Sequence, residues 1–422
     1  MITEEAIELN NALARNSFIF RMLSSAGKKA FFPKKGILQQ TAEAKTTRLN
    51  ATIGQAFEDD GLPMVLDSLE RQISIKPQEV FLYSPSPGQK ELRDEWKKSI
   101  QRKNQSLQSF ISTPIVTGGI THALSIVGRL FVNQEEGIIT PDRFWENYTL
   151  TFDSSFNQFP LFYYKRFNIE GLARKLVGRD SKKIILLNFP NNPTGYTPTQ
   201  AEAEEIKQVI KEAAGRNNLV VAICDDAYFG LVYEKNVEKE SMFSKLAGLD
   251  ERVLAIKVDG ISKEMYAWGL RIGFITYGIK GLEKLAAAAL EDKTAGIVRA
   301  TISNASTLSQ TIAINALKSP QLEAQAAQKF EELRARYQIV KQTLNEHPEY
   351  SEFFEALPFN SGYFMCVQLK NLSPDKIRKK LIEEFSTGVI AGEDTLRIAY
   401  SAVNKSMIPA LFDNIYQAAM RN

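Results

Sequence analysis

Only two cysteines and two histidines occur in 422 residues. Cys224 and Cys366 each sit inside an apolar run, the setting of reduced core thiols rather than of a disulfide framework. His122 and His347 are too few and too far from paired thiols to make a zinc site, so no metal is expected, and a histidine-centred hydrolase would rest on His122 alone. No run of about eighteen apolar residues occurs, and Met1 to Glu8 has no basic cap leading into an apolar segment, so neither a membrane span nor an export signal is indicated. A cytoplasmic protein is expected. Charge of one sign is missing as well: 52 basic against 49 acidic residues leave +3, which gives no general pull toward nucleic acid or an anionic membrane. Internal repeats and low-complexity tracts are absent.

What is there is an ordinary globular balance, 44% apolar and 24% charged, in a chain long enough for two domains. Residues 4–26 have helical spacing, 28–45 form a basic stretch that reads as an irregular arm, and 63–72 can form a helix. Helical spacing returns at 91–102, at 120–130 and at 201–214. Strand-like runs occupy 111–117, 137–140, 160–164, 183–188, 219–224, 253–258 and 270–276. Alternation of strand and helix over residues 90–300 predicts an α/β fold with a mostly parallel sheet covered by helices, in which ligands gather at the carboxyl ends of the strands. A long helix over 321–347 separates this part from a smaller α/β unit. The expected division is an N-terminal arm and part of a small domain (1–65), a large domain (66–315) and a C-terminal small domain (316–422).

Several side chains stand where chemistry is done. Asp225 directly follows an apolar strand, with Asp226 beside it and Tyr228 three residues on. Its carboxylate can cap the following turn, or meet a pyridinium nitrogen and strengthen the ring as an electron sink. Lys263 lies just beyond another apolar strand; a lysine held among apolar or opposite groups stays partly neutral and attacks an aldehyde. Arg271, read as opening the next strand, offers a fork of donors to a phosphate. Gly118-Gly119 turns a strand into the helix from Ile120, leaving free amides for an anion. Asn192 sits in a Pro-Asn-Asn-Pro-Thr-Gly turn, where it either shapes the turn or touches a ring oxygen. Arg397 lies in a run otherwise suited to burial and needs an anion, from another side chain or from a substrate carboxylate.

Asn191-Asn-Pro-Thr-Gly195, Asp225-Asp-Ala-Tyr228, Ser262-Lys263 with Gly269-Leu-Arg271-Ile-Gly273, and Arg397-Ile-Ala-Tyr-Ser401 occur in order at suitable spacing. Together, over nearly the whole chain, they resemble the class I/II aminotransferases, the aspartate aminotransferase superfamily of fold type I. The resemblance implies pyridoxal 5'-phosphate as cofactor, bonded covalently to Lys263. It implies Asp225 at the pyridine nitrogen and Tyr228 and Asn192 at the ring oxygen. Arg271, Ser262 and the backbone of Gly119, Ile120 and Thr121 would hold the phosphate, and Trp145, in Phe144-Trp-Glu-Asn-Tyr148, would stack on the ring. Tyr83 would reach the phosphate of a neighbouring subunit, implying a homodimer with composite active sites. Gly54 would lie beside the substrate and Arg397 would clamp its α-carboxylate. Two positions depart from the family pattern: Gly260 stands where a phosphate-binding hydroxyl is common, and Ile120 where a small residue is frequent. The implied activity is transfer of an amino group from an L-amino acid, aspartate or aromatic, to a 2-oxo acid such as 2-oxoglutarate. A pyridoxal-phosphate carbon–sulfur β-lyase and a non-catalytic cofactor-binding regulatory protein are the alternatives.

Overall fold

The computed structural model describes residues 3–14, 21–31, 36–70 and 75–421. Its largest sheet has seven strands, in the spatial order Ile115–Thr117, Gly273–Gly278, Val253–Gly260, Leu219–Asp225, Lys182–Asn188, Gly137–Pro141 and Ser155–Phe159. From Val253–Gly260 to Ser155–Phe159 every neighbouring pair is parallel, and Gly273–Gly278 runs antiparallel to both of its neighbours. The central strands are apolar at consecutive positions because both faces are covered: Ile184 to Leu187 and Val220 to Cys224 are all buried. Helix Gln200–Gly215 shows how the cover is made. Thr199 and Glu202 close its start as a capping box, and Ala203, Ile206, Ile210, Ala213 and Ala214 form its buried stripe.

A second sheet has four strands, in the order Phe354–Ala356, Met365–Leu369, Thr395–Ile398 and Ile390–Ala391, each pair antiparallel. Helices Pro374–Phe385 and Ile408–Met420 accompany it, and Leu322–Glu346 is the long helix that leads into it. Near the other end of the chain, Leu49–Asn50 pairs in parallel with Thr387–Gly388. The amino-terminal segment is thereby stitched to the carboxy-terminal unit by backbone hydrogen bonds. A side-chain bridge joins the two sheets as well, Arg143 Nη2 donating to Asp394 Oδ2 at 2.8 Å.

Several elements differ from the sequence reading. The helical spacing over 4–26 yields Glu4–Ala14 and Ser25–Lys29, with 15–20 outside the described residues. The arm read as irregular contains helix Ile37–Glu43, and of the helix expected over 63–72 the described residues show Asp67–Glu70, residues 71 and 72 lying outside them. The strand expected at 160–164 is Phe162–Tyr163, paired with Arg166–Phe167 outside the main sheet, and Ser155–Phe159 is a strand that the reading did not contain. It is the sheet's edge, and its mostly exposed, polar positions lack the apolar run that marks the central strands. Arg271 does not open a strand: it ends the 3-10 turn Trp268–Leu270 with φ 54°, and the strand begins at Gly273.

Gly195 ties the Asn191–Gly195 turn to the second sheet. Its φ is +71°, its carbonyl accepts from the amides of Asn360 and Ser361 at 2.9 Å each, and a Cβ placed on it would lie 1.9 Å from the Phe364 carbonyl oxygen. Gly195→Ala should therefore lower stability by about 3 kcal/mol through backbone strain and overlap, read as a lower midpoint in denaturant.

Candidate active site

Parallel pairing brings the strand ends that matter side by side. Asn188 is opposite Asp225, and Asp225 opposite Val258, so the turn Ile261–Glu264 carries Lys263 to the same edge. A cavity of about 430 Å³ opens there, walled by Asp225, Tyr228, Lys263 and Arg271 on one side and by Gly54, Phe364 and Arg397 on the other. That is room for a ligand of cofactor size.

Asp225 forms the floor. Its Oδ1 accepts from the Ala227 amide at 3.1 Å and its Oδ2 from the Tyr148 hydroxyl, while the Asn188 amide donates to its carbonyl at 3.0 Å. Burial pushes its carboxyl up to about 6, against the pull of Tyr148 and Lys263. Above it the Lys263 ammonium lies 5.1 Å from the Tyr228 ring centroid. Burial brings that amine down to about 8, with Asp225 opposing and Arg271 adding to the fall. Tyr228 packs edge-on against Tyr363 and Phe364, at 5.3 and 5.6 Å between centroids.

Arg271 donates to the Trp268 carbonyl at 3.2 Å and rests on Gly119, where a Cβ would stand 2.4 Å from its Nη2. The paired-glycine corner is therefore a seat for the guanidinium as well as the start of helix Ile120–Phe131, whose first turn has no side-chain cap. Ile120 and Thr121 line the cavity from that turn. The departure at position 260 has a packing cause: Gly260 pairs with Gly273, and a Cβ on Gly260 would lie 2.5 Å from the Ile272 carbonyl. A hydroxyl side chain has no room there.

Arg397 is 7% exposed, its Nη2 donating to the Thr52 carbonyl at 3.0 Å, its Nη1 reaching Asn192 Oδ1 at 3.4 Å, and its guanidinium standing 4.5 Å from the Phe364 centroid. No ion pair joins it to a described carboxylate, its Nε has no partner, and burial lowers its proton affinity. Ser262 Oγ and Trp268 Nε1, in residues that also line the cavity, are likewise buried without partners. Buried polar atoms are nearly always paired, so three orphaned groups around one cavity, with three cations and one floor carboxylate, fit a ligand that has anionic ends and a protonated ring nitrogen.

The remaining sequence candidates divide. Asn192, whose amide donates to Asn188 Oδ1 at 2.8 Å, Trp145 and Gly54 all line the cavity. Tyr83 does not: it is 92% exposed, on a separate depression beside Leu82 and Thr307. Sequence reasoning passed over Tyr148, the buried donor to Asp225, although its place three residues after Trp145 in an aromatic run was a usable signal. The Thr52 carbonyl had none, since a backbone acceptor leaves no mark on residue type.

A family model for aminotransferase class I and II matches residues 53–415. An aspartate aminotransferase of Bacillus sp. (strain YM-2) is 24% identical over 383 residues, covering 86% of this chain and 90% of that protein. Among solved structures, an aminotransferase from Anaerococcus prevotii superposes with a TM-score of 0.81 at 21% identity, over 94% of this chain and 99% of that one. A kynurenine aminotransferase of Pyrococcus horikoshii, in complex with PMP, superposes with a TM-score of 0.78 at 17% identity, over 96% and 99% of the two chains.

In the ligand-free protein, modification of Lys263 by a small aldehyde with borohydride should rise with pH through a midpoint of about 8 as the amine loses its proton. Surface lysines should follow their ordinary midpoint near ~10.4. Peptide mapping across a pH series reads the difference, and a midpoint above about 10 for Lys263 would contradict the effect of burial.

Proposed function

The chain belongs to the class I and II aminotransferases, a family that works with pyridoxal 5'-phosphate, and from that membership we propose that the cavity holds this cofactor and passes an amino group from an L-amino acid to a 2-oxo acid such as 2-oxoglutarate. The observation that carries the proposal is the charge layout: Lys263, Arg271 and Arg397 converge on one cavity over a single buried carboxylate, and the two guanidiniums have no described ion-pair partner.

Lys263 would hold the cofactor covalently. Arg271, the unpaired Ser262 hydroxyl and the amides of the Ile120 turn would take its phosphate. Asp225, fixed by Tyr148 and Ala227, would keep a proton on the ring nitrogen, with Tyr228 and Asn192 toward the ring oxygen and Trp145 against its face. The bound cofactor supplies the electron sink into which the α-carbon's electrons go. Arg397 presents free donors to the substrate's α-carboxylate and so fixes which α-bond faces Lys263. Once the substrate's amine had displaced it from the cofactor, Lys263 Nζ, neutral in useful proportion because burial lowers its proton affinity, would be the group placed to take the α-proton and give it back on the cofactor side, with water supplying the oxygen of the released 2-oxo acid. A 2-oxo acid enters for the reverse half-reaction.

Side-chain choice follows the remaining wall. Ile37 and Ile53 face the cavity together with Trp145 and Trp268, and the described residues add no cation there beyond the three already used. That wall favours an aromatic donor over aspartate. Tyr83, exposed and outside this chain's own cavity, is free to complete the site of a second copy, and the division at 66 and 316 is proposed as the boundary between large and small domains.

Mixing cofactor-loaded protein with each common amino acid should bleach the cofactor's absorbance fastest with aromatic donors, and Lys263→Ala should abolish both the band and turnover. No response to any amino acid would overturn the proposal, and pyruvate and ammonia formed without a 2-oxo acid would replace transfer by elimination. Arg397→Gln should raise KM for amino acid and 2-oxo acid alike by about 100-fold, with the cofactor still bound.

A further inference from the structure

Directly behind the cavity floor lies a second set of charges that the transfer chemistry does not use. Asp226 and Glu264 are the immediate chain neighbours of Asp225 and Lys263, and both interact electrostatically with Lys257. Lys257 is 1% exposed, in the middle of the strand that ends before Lys263. Its ammonium is ion-paired to Asp226 Oδ2, lies 3.4 Å from Asp259 Oδ2, and stands 4.4 Å from the Phe229 ring centroid. Asp226 Oδ2 also accepts from the Ser241 hydroxyl at 2.6 Å, and Asp259 Oδ1 from the Trp96 indole at 3.0 Å, with Trp96 stacked on Phe274 at 4.2 Å. Glu264 is paired outward with Lys103. Three carboxylates thus face two ammonium groups, and one negative charge is left over.

A lysine buried in a central strand has a large desolvation cost, and replacing such a group wholesale with neutral side chains is often no less stable. Stability alone is therefore a poor reason for it. Its geometry offers another. Asp226 follows the strand that presents Asp225, its amide donating to the Val258 carbonyl at 2.8 Å, and Asp259 belongs to the strand that leads to Lys263. We propose that Lys257 is a positioning residue for the amino transfer: by gripping Asp226 and Asp259 from behind the sheet, it fastens the backbone presenting Asp225 to the backbone presenting Lys263. The proposal rests on the reading of those two residues as the working pair. Burial works against the charge on Lys257, yet the two aspartates hold its proton affinity above the ordinary value, so it stays charged. Burial pushes Asp259 up to about 6 and raises Asp226 too, with Lys257 opposing the rise in both.

The test uses the Lys263 titration in ligand-free protein, where the groups facing that amine are Asp225, Arg271 and the Tyr228 ring. The variant Asp226→Asn/Lys257→Met/Asp259→Asn removes the buried charges together. If Lys257 sets the approach of Asp225, the Lys263 midpoint should fall by about half a pH unit or more, because the carboxylate that supports its charge is no longer held close. In the loaded enzyme kcat should fall about tenfold or more while KM for the amino acid changes little, since the Arg397 clamp is untouched. Ser241→Ala, which removes one donor to Asp226 and the cap that the same hydroxyl gives the Phe243 amide but leaves every buried charge in place, should shift the midpoint in the same direction, and it decides the matter if the triple variant does not fold. An unmoved midpoint in the folded variants overturns the proposal and leaves the cluster a packing element. A shifted midpoint in a protein that transfers no amino group from any donor would instead overturn the proposed function, and with it the role in transfer, and leave only the fastening of the two backbones standing.

Discussion

The arrangement depends on one buried carboxylate beneath a cavity whose other charged groups are all cationic. Asp225 is fully surrounded, and both of its oxygens are committed, to the Tyr148 hydroxyl and the Ala227 amide. A carboxylate so held cannot swing away, and water does not compete for it, so whatever lies above it feels its charge at low screening. The same burial that raises the proton affinity of Asp225 lowers that of Lys263. Each group is moved toward its neutral form by desolvation and back toward its charged form by the other. Two residues with very different ordinary proton affinities are thereby drawn toward each other, the kind of paired perturbation that collects at functional sites.

Glycine does the complementary work of clearing space. Gly119 leaves the seat on which Arg271 lies, and Gly260 and Gly273 let the antiparallel strand approach close enough to bring that seat beside Ser262. The residue at 260 that looks like a lost donor is the condition for the other donors to converge.

How much of this is written in the residue string varies with the kind of signal involved. Strands covered on both faces announce themselves, so the neighbours Asn188, Asp225 and Lys263 could be placed at sheet ends from apolar runs alone, and the sheet order brought them together. Arg397 was conspicuous as a charge in an otherwise buried strand. The polar edge strand Ser155–Phe159 had no such run, and the left-handed turn at Arg271 read as strand because its neighbours Leu270 and Ile272 are apolar. Tyr148 could have been noticed; Thr52, contributing only a carbonyl, could not. Lys257 sat among the valines and isoleucines of an obvious strand, and only its paired aspartates, 31 residues apart in one case, give it meaning.

The pairing of Leu49–Asn50 with Thr387–Gly388 also governs when the site can come into being. On the ribosome the seven-stranded sheet, complete by Gly278, has all its strands while the remaining third of the chain is still unmade. The segment bearing Thr52 and Gly54 must wait for residue 388 to emerge before it finds its partner strand, even though it was synthesised first. The floor with its carboxylate and amine is therefore laid down early, and the Arg397 guanidinium on the facing wall is the last piece delivered, so one half of the cavity can take shape long before the other half closes it.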